Sequence, residues 1–173
     1  MRALCLAMSM LLSALFWMPT ASASELGVQL RGGGSLAGGE HSEMLGARAL
    51  LVFELVPTVS LGPAIDMSQA PSAEYFEVSA AALLRLSTLP FLHIDVSVGF
   101  GVMNIPNSVY YSDTRGGETD NLVPAFGGGV DLLFEVTELP LSIKLGPGVN
   151  AFVDVIKTEE LMLNYGAILE LAF

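Results

Sequence analysis

The chain has 173 residues, enough for one domain, with eighteen acidic residues against seven basic ones and a formal net charge of −11. Hydrophobic residues reach 52% and charged residues only 14%, at a mean hydropathy of +0.59, which is too apolar for a soluble domain with an ordinary polar surface. The acidic balance excludes nucleic acid as a partner, and beyond the extreme N-terminus no apolar run approaches the eighteen or so residues of a transmembrane helix.

Residues 1–23 read as a separate unit. Met1-Arg2 gives a positive start, Ala3 to Trp17 an apolar stretch, and Met18-Pro19-Thr20 a break before the small-x-small site Ala21-Ser22-Ala23. The pattern predicts a cleaved signal peptide at 1–23 and a mature domain at 24–173. The leader takes the only cysteine, Cys5, and one of the seven basic residues, Arg2. The mature chain then has no thiol, no disulfide and a net charge of −12, from six basic and eighteen acidic residues.

From residue 24 onward the sequence alternates with a period of two, and eight strands follow in chain order: 25–33, 44–55, 58–67, 75–86, 91–102, 122–136, 141–155 and 161–173. The clearest is FLHIDVSVGFGV at 91–102. Leu92, Ile94, Val96, Val98, Phe100 and Val102 share one face, while His93, Asp95, Ser97, Gly99 and Gly101 share the other. Thirteen charged residues fall within the eight strands, and every one lies opposite the apolar set. Short links near Val56-Pro57, Thr88-Leu89 and Glu138-Leu139 alternate with longer polar ones at 34–43, 68–74 and 104–121 and a shorter one near Lys157 to Glu160. An even strand number with short turns at one end and longer loops at the other predicts an all-β, eight-stranded antiparallel up-and-down barrel that crosses a membrane. On that reading Phe76, Phe100, Phe126 and Tyr165 form a lipid-facing aromatic band toward the long loops, and Phe53, Phe134 and Phe173 a second band toward the short turns.

Eight strands enclose a lumen that side chains fill. Its acids outnumber Arg31, Arg48, Arg85 and Lys144, so some carboxylates belong at the rims or in water. Lys144 is expected to reach Glu135 or Asp131, and Arg85 to lie across from His93 and diagonal to Asp95. Leu50, Val52, Leu83, Leu133 and Ile168 share the interior phase, which favours a plugged lumen over an open channel. Pro63 and Pro147, each in an LGP segment, sit mid-strand and predict bulges or a shifted register.

The leader, about 150 mature residues, the eight strands and the final NYGAILELAF together resemble the small eight-stranded outer-membrane barrels, a group that includes the OmpA-like transmembrane domain and the opacity and adhesion barrels. The resemblance implies an address in the outer membrane of a Gram-negative-type cell, contact with its lipid, and a monomer. It also implies that Phe173, with Leu171 two before it, is read by the barrel-insertion machinery. The glycine of that signal is expected at position 168, where this chain has Ile168 and carries Gly166 instead.

No catalytic, cofactor-binding or metal site is assigned from the residues, and the protein is read as a non-enzyme without cofactors. His93, Asp95 and Ser97 spell out the residue types of a triad, but side chains two apart on a strand stand parallel about 6.6 Å apart and do not relay protons. His41-Ser42 lies in the first long link, and two histidines in separate segments give no metal spacing. The expected role is structural or surface-interacting, any surface ligand falling to loop 104–121 with Tyr110, Tyr111 and Arg115. The alternatives are a narrow channel, a lipid-modifying barrel enzyme and a soluble lipocalin-like binding barrel.

Overall fold

The computed structural model describes residues 23–37, 40–70, 75–104, 122–137, 141–155 and 161–173. The predicted signal peptide lies outside them up to residue 22, as does loop 105–121.

Eight strands close into one antiparallel barrel: β1 (Ala23–Ala37), β2 (Glu40–Val56), β3 (Val59–Ala70), β4 (Tyr75–Leu89), β5 (Leu92–Asn104), β6 (Leu122–Thr137), β7 (Ser142–Asp154) and β8 (Leu161–Ala172). Each strand pairs with its sequence neighbours, and β1 pairs with β8 to complete the ring. Reciprocal backbone hydrogen bonds between Leu26 and Phe173, at 3.1 and 2.9 Å, finish that seam. A perpendicular traced from Gly27 through Leu50, Ala64, Ala81, Gly99, Gly127, Phe152 and Met162 returns to β1 at Ala37, ten residues beyond its start. With eight strands, that stagger tilts each one about 40° from the barrel axis.

The alternation places the side chains as the sequence predicts. Leu26, Val28, Leu30, Ile65, Met67, Val98, Phe100 and Phe126 are exposed on the outer wall, while Arg31, Arg48, Asp66, Arg85, Asp95, Asp131, Lys144 and Glu170 are buried in the lumen. The interior apolar set of Leu50, Val52, Leu83, Leu133 and Ile168 is buried as well. Of the expected aromatic bands, Phe53 departs: it is only 9% exposed, beside a bulge between Ala23 and Glu25. Glu54 keeps the interior phase but is exposed at the short-turn rim, where water solvates it.

The segment 34–43 is not a loop. Pairing runs on through Gly34 with Glu43 and Ser35 with Ser42 to Ala37 with Glu40, leaving only residues 38–39 between the strands. Strand ends that rise into water lose the apolar alternation but keep their backbone ladder. The other correction concerns the prolines. At each LGP segment two pairs drop out of one ladder: β2–β3 skips from Leu50–Ala64 to Phe53–Leu61, and β6–β7 from Asp131–Gly148 to Phe134–Leu145. The register is unchanged across both gaps, so no bulge or shift is present there. Proline lacks the ladder donor, while the glycine before it allows close approach. A Cβ on Gly62 would lie 1.7 Å from the Leu51 carbonyl oxygen, and one on Gly146 at the same distance from that of Leu132.

Candidate functional site: the barrel lumen

The half of the lumen nearer the short turns is filled by one connected polar web. Arg85 meets Asp95 with a two-pronged contact, Nε to Oδ1 and Nη2 to Oδ2, both 2.7 Å. Its Nη2 also donates to Glu170 Oε2 at 2.7 Å, and its Nη1 to Glu25. Lys144 Nζ donates to Glu25 at 2.7 Å and to Glu170 at 2.9 Å. A second group lies higher. Arg48 donates from Nε to Asp66 at 2.5 Å, from Nη1 to Asp131 at 2.8 Å and from Nη2 to Ser97 at 3.1 Å, and Arg31 donates to the same Asp131 oxygen at 2.5 Å. Gln29 joins the two groups, accepting from Arg31 at 2.8 Å and donating to Glu170 at 2.6 Å. All four strand-borne basic residues are thus buried and paired, as burial of a charge requires.

Two sequence expectations change here. Lys144 pairs by register with Glu135 on one side and Glu170 on the other, and its ammonium takes Glu170 together with Glu25 of β1, two strands away, rather than Glu135. Arg85 stands directly opposite Asp95, and Ser87 stands opposite His93, since the short turn carries a bulge between Ser87 and Leu89 that displaces the simple hairpin register.

The half nearer the long loops is filled differently. Ala70, Met103, Val123, Ala125, Phe152 and Met162 form a buried apolar cluster contributed by β3, β5, β6, β7 and β8. Beneath it lies Glu77, 1% exposed, with Oε2 accepting from Ser68 Oγ at 2.9 Å. Asn164 reaches Ser68 from the opposite wall at 3.4 Å. The oxygens Ser35 Oγ, Glu77 Oε1, Asn150 Oδ1 and Asn164 Oδ1 have no partner among the described residues, and a polar chamber of this kind is one that water hydrates. The side chain of Asp154, assigned to the lumen from sequence, lies outside those described.

The residues weighed for chemistry are dispersed. Asp95 is held by Arg85 and Ser97 by Arg48, so neither joins His93. His41 is exposed on the outer wall, 3.4 Å from the Tyr165 hydroxyl, while its neighbour Ser42 has the inward phase. What the sequence reading missed is a chain across four strands at the short-turn mouth. Ser87 Oγ lies 3.0 Å from His93 Nδ1, His93 Nε2 lies 3.0 Å from Glu135 Oε2, and Ser142 Oγ donates to Glu135 Oε1 at 2.6 Å. The signal for it was the tight β4–β5 turn, which fixes Ser87 against His93 once the bulge is known.

No protein-family model matches the sequence, and no curated protein matches it. Among solved structures, the N-terminal β-barrel domain of Pseudomonas aeruginosa OprF superposes over 87% of this chain and 98% of its own, with a TM-score of 0.56 at 18% identity. Neisserial surface protein A superposes over 90% of this chain and all of its own, with a TM-score of 0.55 at 12% identity. The fold is that of the small eight-stranded outer-membrane barrels. Such a barrel presents an apolar outer wall to its surroundings and a filled polar interior, the division seen here between Phe100 or Phe126 outside and Arg48 or Glu170 inside.

Proposed function

We propose that the protein is an integral outer-membrane barrel of a Gram-negative-type cell, sealed against solute passage, with a structural or surface-interacting role. The observation that carries this reading is the lumen web. Arg85 of β4 meets Glu170 of β8, and Arg48 of β2 meets Asp131 of β6, so paired charges brace opposite walls and fill the lumen between them. The exposed apolar belt supports lipid as the surrounding solvent, and the long-loop end is the face that would meet partners through residues 104–121. Protein extracted from fractionated envelopes and added to planar bilayers should give no steady, porin-sized conductance. Stable openings would make the polar web a pore lining and the protein a channel.

The same reading assigns Phe173 to the insertion machinery. Phe173 is the most exposed large hydrophobic residue among those described, and its backbone closes the seam onto Leu26. Deleting it should leave export intact but cause unfolded protein to accumulate in the periplasm. On an unboiled gel the wild type migrates as a compact band and the cellular mutant does not. Normal assembly of the mutant would remove the insertion role.

A further inference from the structure

The Ser87–His93–Glu135 chain has more order than packing alone demands. An ionised carboxylate only accepts, so Glu135 requires the proton of His93 on Nε2. Nδ1 is then left with its lone pair toward Ser87 Oγ, and the serine hydroxyl donates to it. This is the sequence nucleophile, base, orienting acid, recognised by geometry and role rather than by position in the chain. The two ring nitrogens serve in the reverse of their commonest order, and either can take up and return a proton. Ser142 holds the far oxygen of Glu135, and Ser87 N donates to Thr58 O at 2.9 Å, so both ends of the chain are fixed. The bulge leaves Thr88 as the extra residue of the ladder directly after the serine. Ser87 and Glu135 are only part-buried at the mouth, so a substrate can approach them from that end.

We propose that Ser87 is an activated nucleophile and that the short-turn mouth is a serine esterase site, with His93 as general base and Glu135 as its positioning residue. The rim also carries exposed Glu54, whose charge disfavours anions and favours uncharged carboxylic esters as substrates. Ser87 Oγ bonds to the ester carbonyl carbon as its proton passes to His93 Nδ1. The carbon–alkoxy bond breaks, and the departing alcohol takes that proton from the imidazolium. Water then attacks the acyl-serine with His93 again accepting the proton, which returns to Ser87 Oγ as the free acid leaves. The site does not depend on the membrane address, because it lies within the barrel's own rim.

The test uses full-length protein extracted in detergent and shown to be folded by its compact gel band. An alkyl fluorophosphonate should phosphonylate Ser87 with loss of fluoride, and the mass shift should map to the peptide that contains it. p-Nitrophenyl butyrate should be hydrolysed. Ser87→Ala should abolish both, and His93→Gln should slow both at least tenfold, whereas Ser60→Ala, at a rim serine paired by register with Arg85, should leave them unchanged. Glu135→Ala should slow labelling while Glu135→Asp retains a measurable part of it, a difference that gel mobility does not follow. Folded wild type that is not phosphonylated at Ser87, or hydrolysis that persists undiminished in Ser87→Ala, overturns the proposal.

Discussion

The two halves of the lumen share one inward phase yet are filled by different chemistry. Toward the short turns, arginine, lysine and carboxylates interlock from facing walls; toward the long loops, methionine, phenylalanine and alanine pack together above a carboxylate with no basic partner among the described residues. The contrast teaches that alternation decides only which side chains enter the lumen. What they do there depends on whether each can find a partner across it. Long basic side chains each reach several partners; in the upper half Ser35 Oγ, Asn150 Oδ1 and Asn164 Oδ1 find none among the described residues and are left for water.

The largest effect that could break this contrast is Lys144→Glu. It removes the ammonium that contacts both Glu25 and Glu170 and adds a carboxylate beside them. Breaking a buried pair in this way costs about 3–5 kcal/mol. Urea unfolding followed by the shift from compact to extended gel mobility should register that loss, and an unchanged midpoint would place Lys144 in water rather than in the web.

A smaller effect tests the wall around the web. Gly62→Ala and Gly146→Ala each push a methyl against a backbone oxygen that cannot rotate away, at a cost of roughly 1–3 kcal/mol. Gly32→Ala, whose nearest neighbour is a leucine methyl at 3.9 Å, should be neutral or should stabilise by up to about 1 kcal/mol. Equal behaviour of all three would mean the LGP segments are not close contacts.

The smallest effect belongs to the upper half. Glu77→Gln keeps an acceptor for Ser68 and breaks no ion pair, so stability should change by less than about 1 kcal/mol. A loss as large as that of Lys144→Glu would show that Glu77 is tied to a cation, and the difference between the two halves would disappear.

Much of this architecture was legible in the sequence, for a physical reason. Lipid and lumen impose different solvents on successive residues, so Ile94, Val96 and Val98 separate cleanly from His93, Asp95 and Ser97. Strand existence and phase follow from that alone. Partners across the lumen were not legible, because they depend on a stagger of ten residues for which alternation carries no signal. Lys144 reached Glu25 of β1, two strands away, and of its two ladder neighbours took Glu170 rather than Glu135. A single-residue bulge hid Ser87 from His93 in the same way. The first hairpin was read as too short because its upper pairs, such as Ser35 with Ser42, stand where neither face is apolar.

The braces across the lumen also bear on how the chain can fold. Arg85 and Glu170 are 85 residues apart, and Arg48 and Asp131 are 83 apart, each pair joining strands from opposite halves of the sequence. Within β1–β4 Arg48 keeps Asp66 and Arg85 keeps Glu25, and within β5–β8 Glu170 keeps Lys144, but Asp95 and Asp131 have their arginines only in the other half, so a half-formed sheet leaves those carboxylates unpaired. Intermediates of that kind are raised in energy while the closed ring is not, which makes assembly an all-or-none event. Two separately produced halves should accordingly remain unstructured apart and acquire β-structure together.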